Sequence, residues 1–297
     1  ICPPTLMGEN MSSPVVECFH DEVTGTNQFL AYDSDTKACA VIDPVLDYEL
    51  AEARTHTTCA DKIIARIEEL GLQCQWILET HVHADHLTAS DTFKHKFPEA
   101  KTGIGANICA VQQHFGPVFN MESHLSMTGE EWDQLFQDGD EFPLGNIPCS
   151  VLHTPGHTPA CVSYVIGDAI FCGDTIFMHD VGTARCDFPG GSVHTMWLSL
   201  KKLLSLPEEY HLFVGHDYGN GGKRERQWKS TVKDQLLANP HVLAGEEEFI
   251  RMRSERDNTL SLPRLMIPSI QINIRAGRLP EPESNGKTYV KFPVNCL

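Results

Sequence analysis

The stretch Thr80-His81-Val82-His83-Ala84-Asp85-His86 constrains this chain more than any other seven residues. It sets three imidazoles and a carboxylate in one turn-length loop, directly after the apolar run Trp76-Ile77-Leu78. Burying side chains this polar is costly unless each is paired or bound to a metal. Four potential ligands at the end of a strand therefore predict a metal site.

The same arrangement recurs along the chain. Phe29 to Tyr32 and Ala38 to Ile42 flank a polar turn at 33–37 and predict a hairpin. Asp61 to Leu70 predicts an amphipathic helix with Ile63, Ile64, Ile67 and Leu70 on one face and Gly71 at its stop. Val151-Leu152 runs into His153-Thr154-Pro155-Gly156-His157. Val162 to Ile166 and Ala169 to Cys172 form a second hairpin that ends in Gly173-Asp174, and Leu212-Phe213-Val214 ends in Gly215-His216. Four strands thus end in a His or an Asp within tight loops. Helical stretches at 61–70, 192–205 and 226–238 separate them, which predicts an α/β sandwich with the polar strand ends along one edge. Residues 93–142 read as an aromatic-rich insertion holding Phe115, Phe119, Trp132 and Phe136. A charged helix at 246–257 leads into a tail punctuated by Pro263, Pro268, Pro280 and Pro282. The expected organisation is a tail at 1–14 with Met11 as a natural start, a main domain at 15–240, and a helical segment and tail at 241–297 packed on that domain.

A formal net charge of −17 argues against nucleic acid as a partner, because phosphates demand a basic surface. An anionic small substrate would need local Arg or Lys to offset that field. The eleven cysteines are odd in number and none stands in C-x-x-C spacing, so a disulfide framework and a cysteine zinc site are both disfavoured. Reduced thiols fit the bacterial cytoplasm, or alternatively a mitochondrial matrix. No apolar run nears the roughly 18 residues needed to cross a bilayer, so no membrane association is expected. The aromatic insertion and tail suggest a homodimer or higher homo-oligomer.

The candidate ligands are His81, His83, Asp85, His86, His157, Asp174 and His216. Imidazoles and carboxylates suit zinc or iron. In this order the set resembles the metallo-β-lactamase superfamily, which implies an αββα sandwich, here with a C-terminal extension. Two chemistries go with that resemblance. In glyoxalase II, two zinc ions on all seven ligands support hydrolysis of an S-acylglutathione thioester. In the persulfide dioxygenases, one Fe(II) on two His and one Asp supports oxidation by O2.

The flanking segments resemble the dioxygenases. Gly215-His216-Asp217-Tyr218 is similar to their H-D-Y, where glyoxalase II typically has H-E-Y. Arg185-Cys186-Asp187-Phe188 is similar to their R-x-D-F loop. The segment Ile104 to Ile108 and the tail Pro268 to Gly277 look like the bacterial β-lactamase hydrolase-like branch. The resemblance implies His81, His157 and Asp174 as ligands of one Fe(II) per chain. His83, Asp85, His86 and His216 would surround and orient them, or would complete a second metal site. It implies Arg185, Tyr218 and Arg275 as substrate contacts, Arg275 being equally readable as a structural arginine. The partners would be glutathione persulfide and O2, giving sulfite and glutathione.

Other candidates carry plainer readings. His153 is expected to make a structural hydrogen bond. Cys161, Cys172 and Cys186 are read as small buried hydrophobes rather than catalytic thiols. Lys223, Arg224 and Arg226 form a short basic run, either a solvated loop or an attractor of anions.

Overall fold

Alternate side chains of the strand Ala38–Ile42 face opposite layers of the molecule. Ala38, Ala40 and Ile42 point into a core shared with Tyr164, Phe171 and Phe213, while Cys39 and Val41 pack with Ile63, Ile67 and Phe93 of two helices. A strand buried on both faces reads as a continuous apolar run, and this one does. The computed structural model describes residues 13–296. The expected start at Met11 and most of the expected N-terminal tail lie outside them.

Two six-stranded sheets face each other. The first runs in the order Val15–His20, Asn27–Tyr32, Ala38–Ile42, Gln73–Leu78, Lys101–Gly105, Gln134–Phe136. The second runs Glu141–Leu144, Ile147–His153, Val162–Ile166, Ala169–Phe171, His211–Phe213, Lys229–Thr231. The helices Thr58–Leu70 and Ser90–Lys96 cover the first sheet. Val193–Leu203 and Glu246–Asp257 cover the second through Met196, Leu200 and Phe249. This is the predicted αββα sandwich. Each fully buried large apolar side chain in these layers contributes roughly 1.5–3 kcal/mol.

The predicted hairpins and the strand before the His loop are present. The helix Thr58–Leu70 stops where Gly71 takes the left-handed conformation, as its sequence suggests. Three expectations need correction. The stretch 226–238 is not one helix. Lys229–Thr231 adds an edge strand, and the helix Val232–Ala238 begins only at the capping box between Thr231 and Asp234. The aromatic stretch at 93–142 is no surface insertion. It supplies two parallel strands to the first sheet, and Phe115, Phe119, Trp132 and Phe136 are all buried, so they offer no face for a dimer. The tail holds the helix Met266–Asn273, which accommodates Pro268 in its first turn, where a backbone N–H would lack an intrahelical partner anyway. No helix of the described residues is long and apolar enough to cross a membrane.

Candidate metal centre

Four chain segments deliver the centre, each from a strand end. The loop after Gln73–Leu78 carries His81, His83, Asp85 and His86. Strand Ile147–His153 leads to His157, Ala169–Phe171 to Asp174, and His211–Phe213 to His216. Close approach of these loops needs glycine. At Gly173, whose φ is +47°, a Cβ would run into Thr80, and at Gly215 it would stand 2.6 Å from Asp174 Oδ1.

Each imidazole uses one ring nitrogen for orientation and leaves the other facing the centre. His81 Nδ1 lies 3.0 Å from Thr80 Oγ1, whose own proton goes to Asp43 Oδ2 at 2.9 Å. That chain makes His81 Nδ1 the donor and leaves a lone pair on Nε2. His157 Nδ1 donates to the Arg185 carbonyl at 2.7 Å, and His216 Nδ1 donates to the Gly25 carbonyl at 2.9 Å. His86 Nδ1 lies 3.3 Å from both Thr26 Oγ1 and Asp85 Oδ2. His83 Nε2 sits 3.0 Å from Asp43 and 3.3 Å from Glu79, close enough for charge attraction at angles short of a full hydrogen bond.

The remaining atoms test whether a metal fits. His81 Nε2, His83 Nδ1, His86 Nε2 and Asp174 Oδ1 are buried with no hydrogen-bond partner. Buried polar atoms are nearly always satisfied, so several orphans among neighbouring imidazoles and carboxylates fit cation ligands. Ligand atoms of His81, His157 and Asp174 lie within 4.8 Å of one another, as do those of His83, Asp85 and His86. Asp174 stands between the groups, with Oδ2 at 3.7 Å from His157 Nε2 and Oδ1 at 3.6 Å from His216 Nε2. All seven candidate ligands are therefore brought together.

The charge states of His81 and Asp85 suit a cation. Burial, with His83 and His157 nearby, holds His81 well below the usual histidine range, in the neutral form that ligates metals. Burial would push the Asp85 carboxyl up, but His216 and His86 bring it well below the usual carboxylate range.

A cavity of about 600 Å³ opens over this centre. Asp85, His157, Asp174 and His216 border it, Phe177, Val181, Phe188 and Leu260 form apolar wall, and Tyr218 stands at one side. Tyr218 stacks on His216 with ring centroids 5.9 Å apart, and 58% of it is exposed. Arg185 borders the cavity but is clamped by Asp187 through two hydrogen bonds, at 2.6 and 2.7 Å. Arg275 is buried after the C-terminal helix and does not border the cavity, which leaves it as the structural arginine.

Arg256, unnoticed in the sequence, borders the cavity and makes only a 3.3 Å contact with Thr259. Asp43, Glu79, Thr26 and His241 were also missed. Among these, Asp43 and Glu79 each directly follow the last residue of a strand, which is the one signal that could have found them.

The plainer readings fare well. His153 Nε2 bonds the Pro159 carbonyl at 3.1 Å, a structural role. Burial pushes the Cys161 thiol up to about 12 and raises Cys172 and Cys186 as well. The basic run is largely neutralised, Arg224 by Asp180 and Asp217, and Arg226 by Glu22.

Residues 22–216 match the metallo-β-lactamase superfamily. The chain belongs to that superfamily. It is 48% identical over 289 residues to a β-lactamase hydrolase-like protein of Xylella fastidiosa, covering 97% of this chain and 66% of that protein. It is 48% identical over 285 residues to glyoxylase B2 of Dictyostelium discoideum, covering 95% of this chain and 97% of that one. The human mitochondrial persulfide dioxygenase ETHE1 is 28% identical over 260 residues, 86% of each chain. The crystal structure of ETHE1 from Myxococcus xanthus matches with a TM-score of 0.70 and 27% identity, over 89% of this chain and all of that one.

Proposed function

We propose that this chain is a persulfide dioxygenase that converts glutathione persulfide, O2 and water to sulfite and glutathione. The observation that carries the reading is the buried cluster of His81, His157 and Asp174, two imidazoles and one carboxylate beneath a cavity that His157 and Asp174 border. Two imidazoles and one carboxylate are the donor set that the facial triad of non-haem Fe(II) oxygenases uses. The likeness to persulfide dioxygenases in sequence and fold supports it. One Fe(II) held there would supply the electrons that activate O2 toward the substrate sulfur.

The protein's own residues do the rest. The Arg185 carbonyl and Thr80 hydroxyl lock two imidazoles in the ligating tautomer. Phe177, Val181 and Phe188 keep bulk water from the reacting sulfur, and Arg256 offers a guanidinium to a glutathione carboxylate. His83, Asp85, His86 and His216 orient the triad. All ten described cysteines are free, which supports a reducing compartment such as the bacterial cytoplasm or a mitochondrial matrix.

One observation favours a second reading, a dizinc thioester hydrolase acting on S-acylglutathione. Asp174 reaches His157 with one oxygen and His216 with the other, as a bridging carboxylate would. Metal content of the purified protein tests the choice. The first reading expects one iron per chain, lost in His157→Ala and retained in His86→Ala. Two zinc ions per chain, both needed for turnover, would favour the second.

A further inference from the structure

The loop that carries four of the ligands is held from behind by a residue far away in sequence. Asn273, the last residue of the helix Met266–Asn273, is buried. Its Nδ2 donates to the carbonyls of both His83 and His86 at 2.8 Å, and its Oδ1 accepts from the Thr88 N–H at 2.8 Å. One amide thus fixes the middle and the end of the ligand segment and the short strand Leu87–Thr88 that follows it. All three of its bonds go to backbone, so they set the path of the loop rather than the charge of any ligand. The helix in turn is secured, since Gln112 Nε2 donates to the Ile274 carbonyl at 2.8 Å.

A second strut reaches the opposite side of the centre from the same C-terminal stretch. Asp257 Oδ2 accepts from the Cys186 N–H at 2.9 Å, and Arg253 donates to the Thr183 carbonyl at 3.1 Å. These bonds position the 183–186 segment, whose Arg185 carbonyl orients His157. Both struts lie beyond residue 216, where the superfamily match ends.

We infer that Asn273 is a positioning residue of the metal centre, and that the C-terminal stretch forms its frame rather than a cover on a finished domain. The inference rests on the reading of the loop as a metal site, and not on which reaction that site performs. Residues that orient metal ligands typically change affinity about 10- to 100-fold when removed. The loss of Asn273 acts through the path of the loop that carries His81 as well as His83 and His86.

Co(II) titration of the metal-free full chain, followed by its visible absorption, tests this without any substrate. Asn273→Ala and the isosteric Asn273→Asp, which turns the donor into an acceptor facing two carbonyls, are compared with Ile272→Ala. That neighbour is buried in the same helix but contributes packing only. All are measured at a temperature where each is folded. Should Asn273→Ala not fold, Asn273→Asp carries the comparison. The expected result is a Co(II) dissociation constant about 10- to 100-fold higher for the Asn273 variants and within about threefold of the parent for Ile272→Ala. Equal affinity in the Asn273 variants and the parent, or an equal loss in Ile272→Ala, would overturn the inference. A parent chain that bound no Co(II) would overturn the metal reading along with it.

Discussion

Asp43 Oδ1 lies 3.0 Å from Nε2 of His83 in the buried wall behind the metal loop. The same carboxylate accepts from the Thr80 N–H at 2.7 Å and the Thr80 hydroxyl at 2.9 Å, and Thr80 bonds His81. One aspartate therefore orients two imidazoles. Asp43→Ala leaves two buried donors and an imidazole unpaired, at a cost of about 1–3 kcal/mol per donor. It should lower the melting temperature and weaken metal binding together. Asp43→Asn, which can still accept from Thr80, should recover more of the stability than of the metal affinity. Thermal melts beside metal titrations of both variants check this.

Two arginines on the cavity wall should behave oppositely. Arg185 is already committed to Asp187, whereas Arg256 has no carboxylate partner among the described residues. Arg256→Ala should raise KM for a glutathione-based substrate about tenfold with little change in kcat, the pattern of lost uniform binding. Arg185→Ala should instead lower kcat, because the carbonyl beside that side chain orients His157. Steady-state kinetics of the two variants separate them.

His241 makes the stability depend on pH in a defined window. Its Nδ1 accepts from the Thr183 N–H at 3.1 Å, and burial beside Arg253 brings its pKa down to about 4. Above about pH 6.5, the unfolded value, both states are neutral and the group has no effect. As pH falls from there to about 4, the unfolded chain takes up a proton that the folded one refuses. Stability drops by on the order of 3 kcal/mol across that window. His241→Asn, which keeps an acceptor near Thr183 but does not titrate, should flatten the dependence in urea melts between pH 4 and 7.

Cys161 should be catalytically silent. With its pKa pushed up to about 12, almost no thiolate exists near neutrality. Cys161→Ser should keep activity within a fewfold of the parent, and iodoacetamide should leave the native protein active. Rapid inactivation with label on Cys161 would contradict that.

The ligands were legible because each is a polar side chain where an apolar strand ends, a place that needs a partner. The sandwich was legible because strands buried on both faces and helices with one apolar stripe leave few ways to stack. The supports of the site were not. Asn273 stands 190 residues from His83, and nothing local marks it as more than a helix end. Thr26 meets the site only after segments distant in sequence come together. The edge strand Lys229–Thr231 is too short for periodicity to separate it from the helix that follows. Arg185 was read from its motif, which cannot show that Asp187 already occupies its guanidinium.

Oxygen consumption by the iron-loaded protein, prepared without air and then given glutathione persulfide, decides between dioxygenase and hydrolase. Uptake of one O2 for each sulfite formed is expected, abolished in His157→Ala, with no hydrolysis of S-lactoylglutathione. No uptake by the iron form, together with thioester hydrolysis by a two-zinc form, would contradict it.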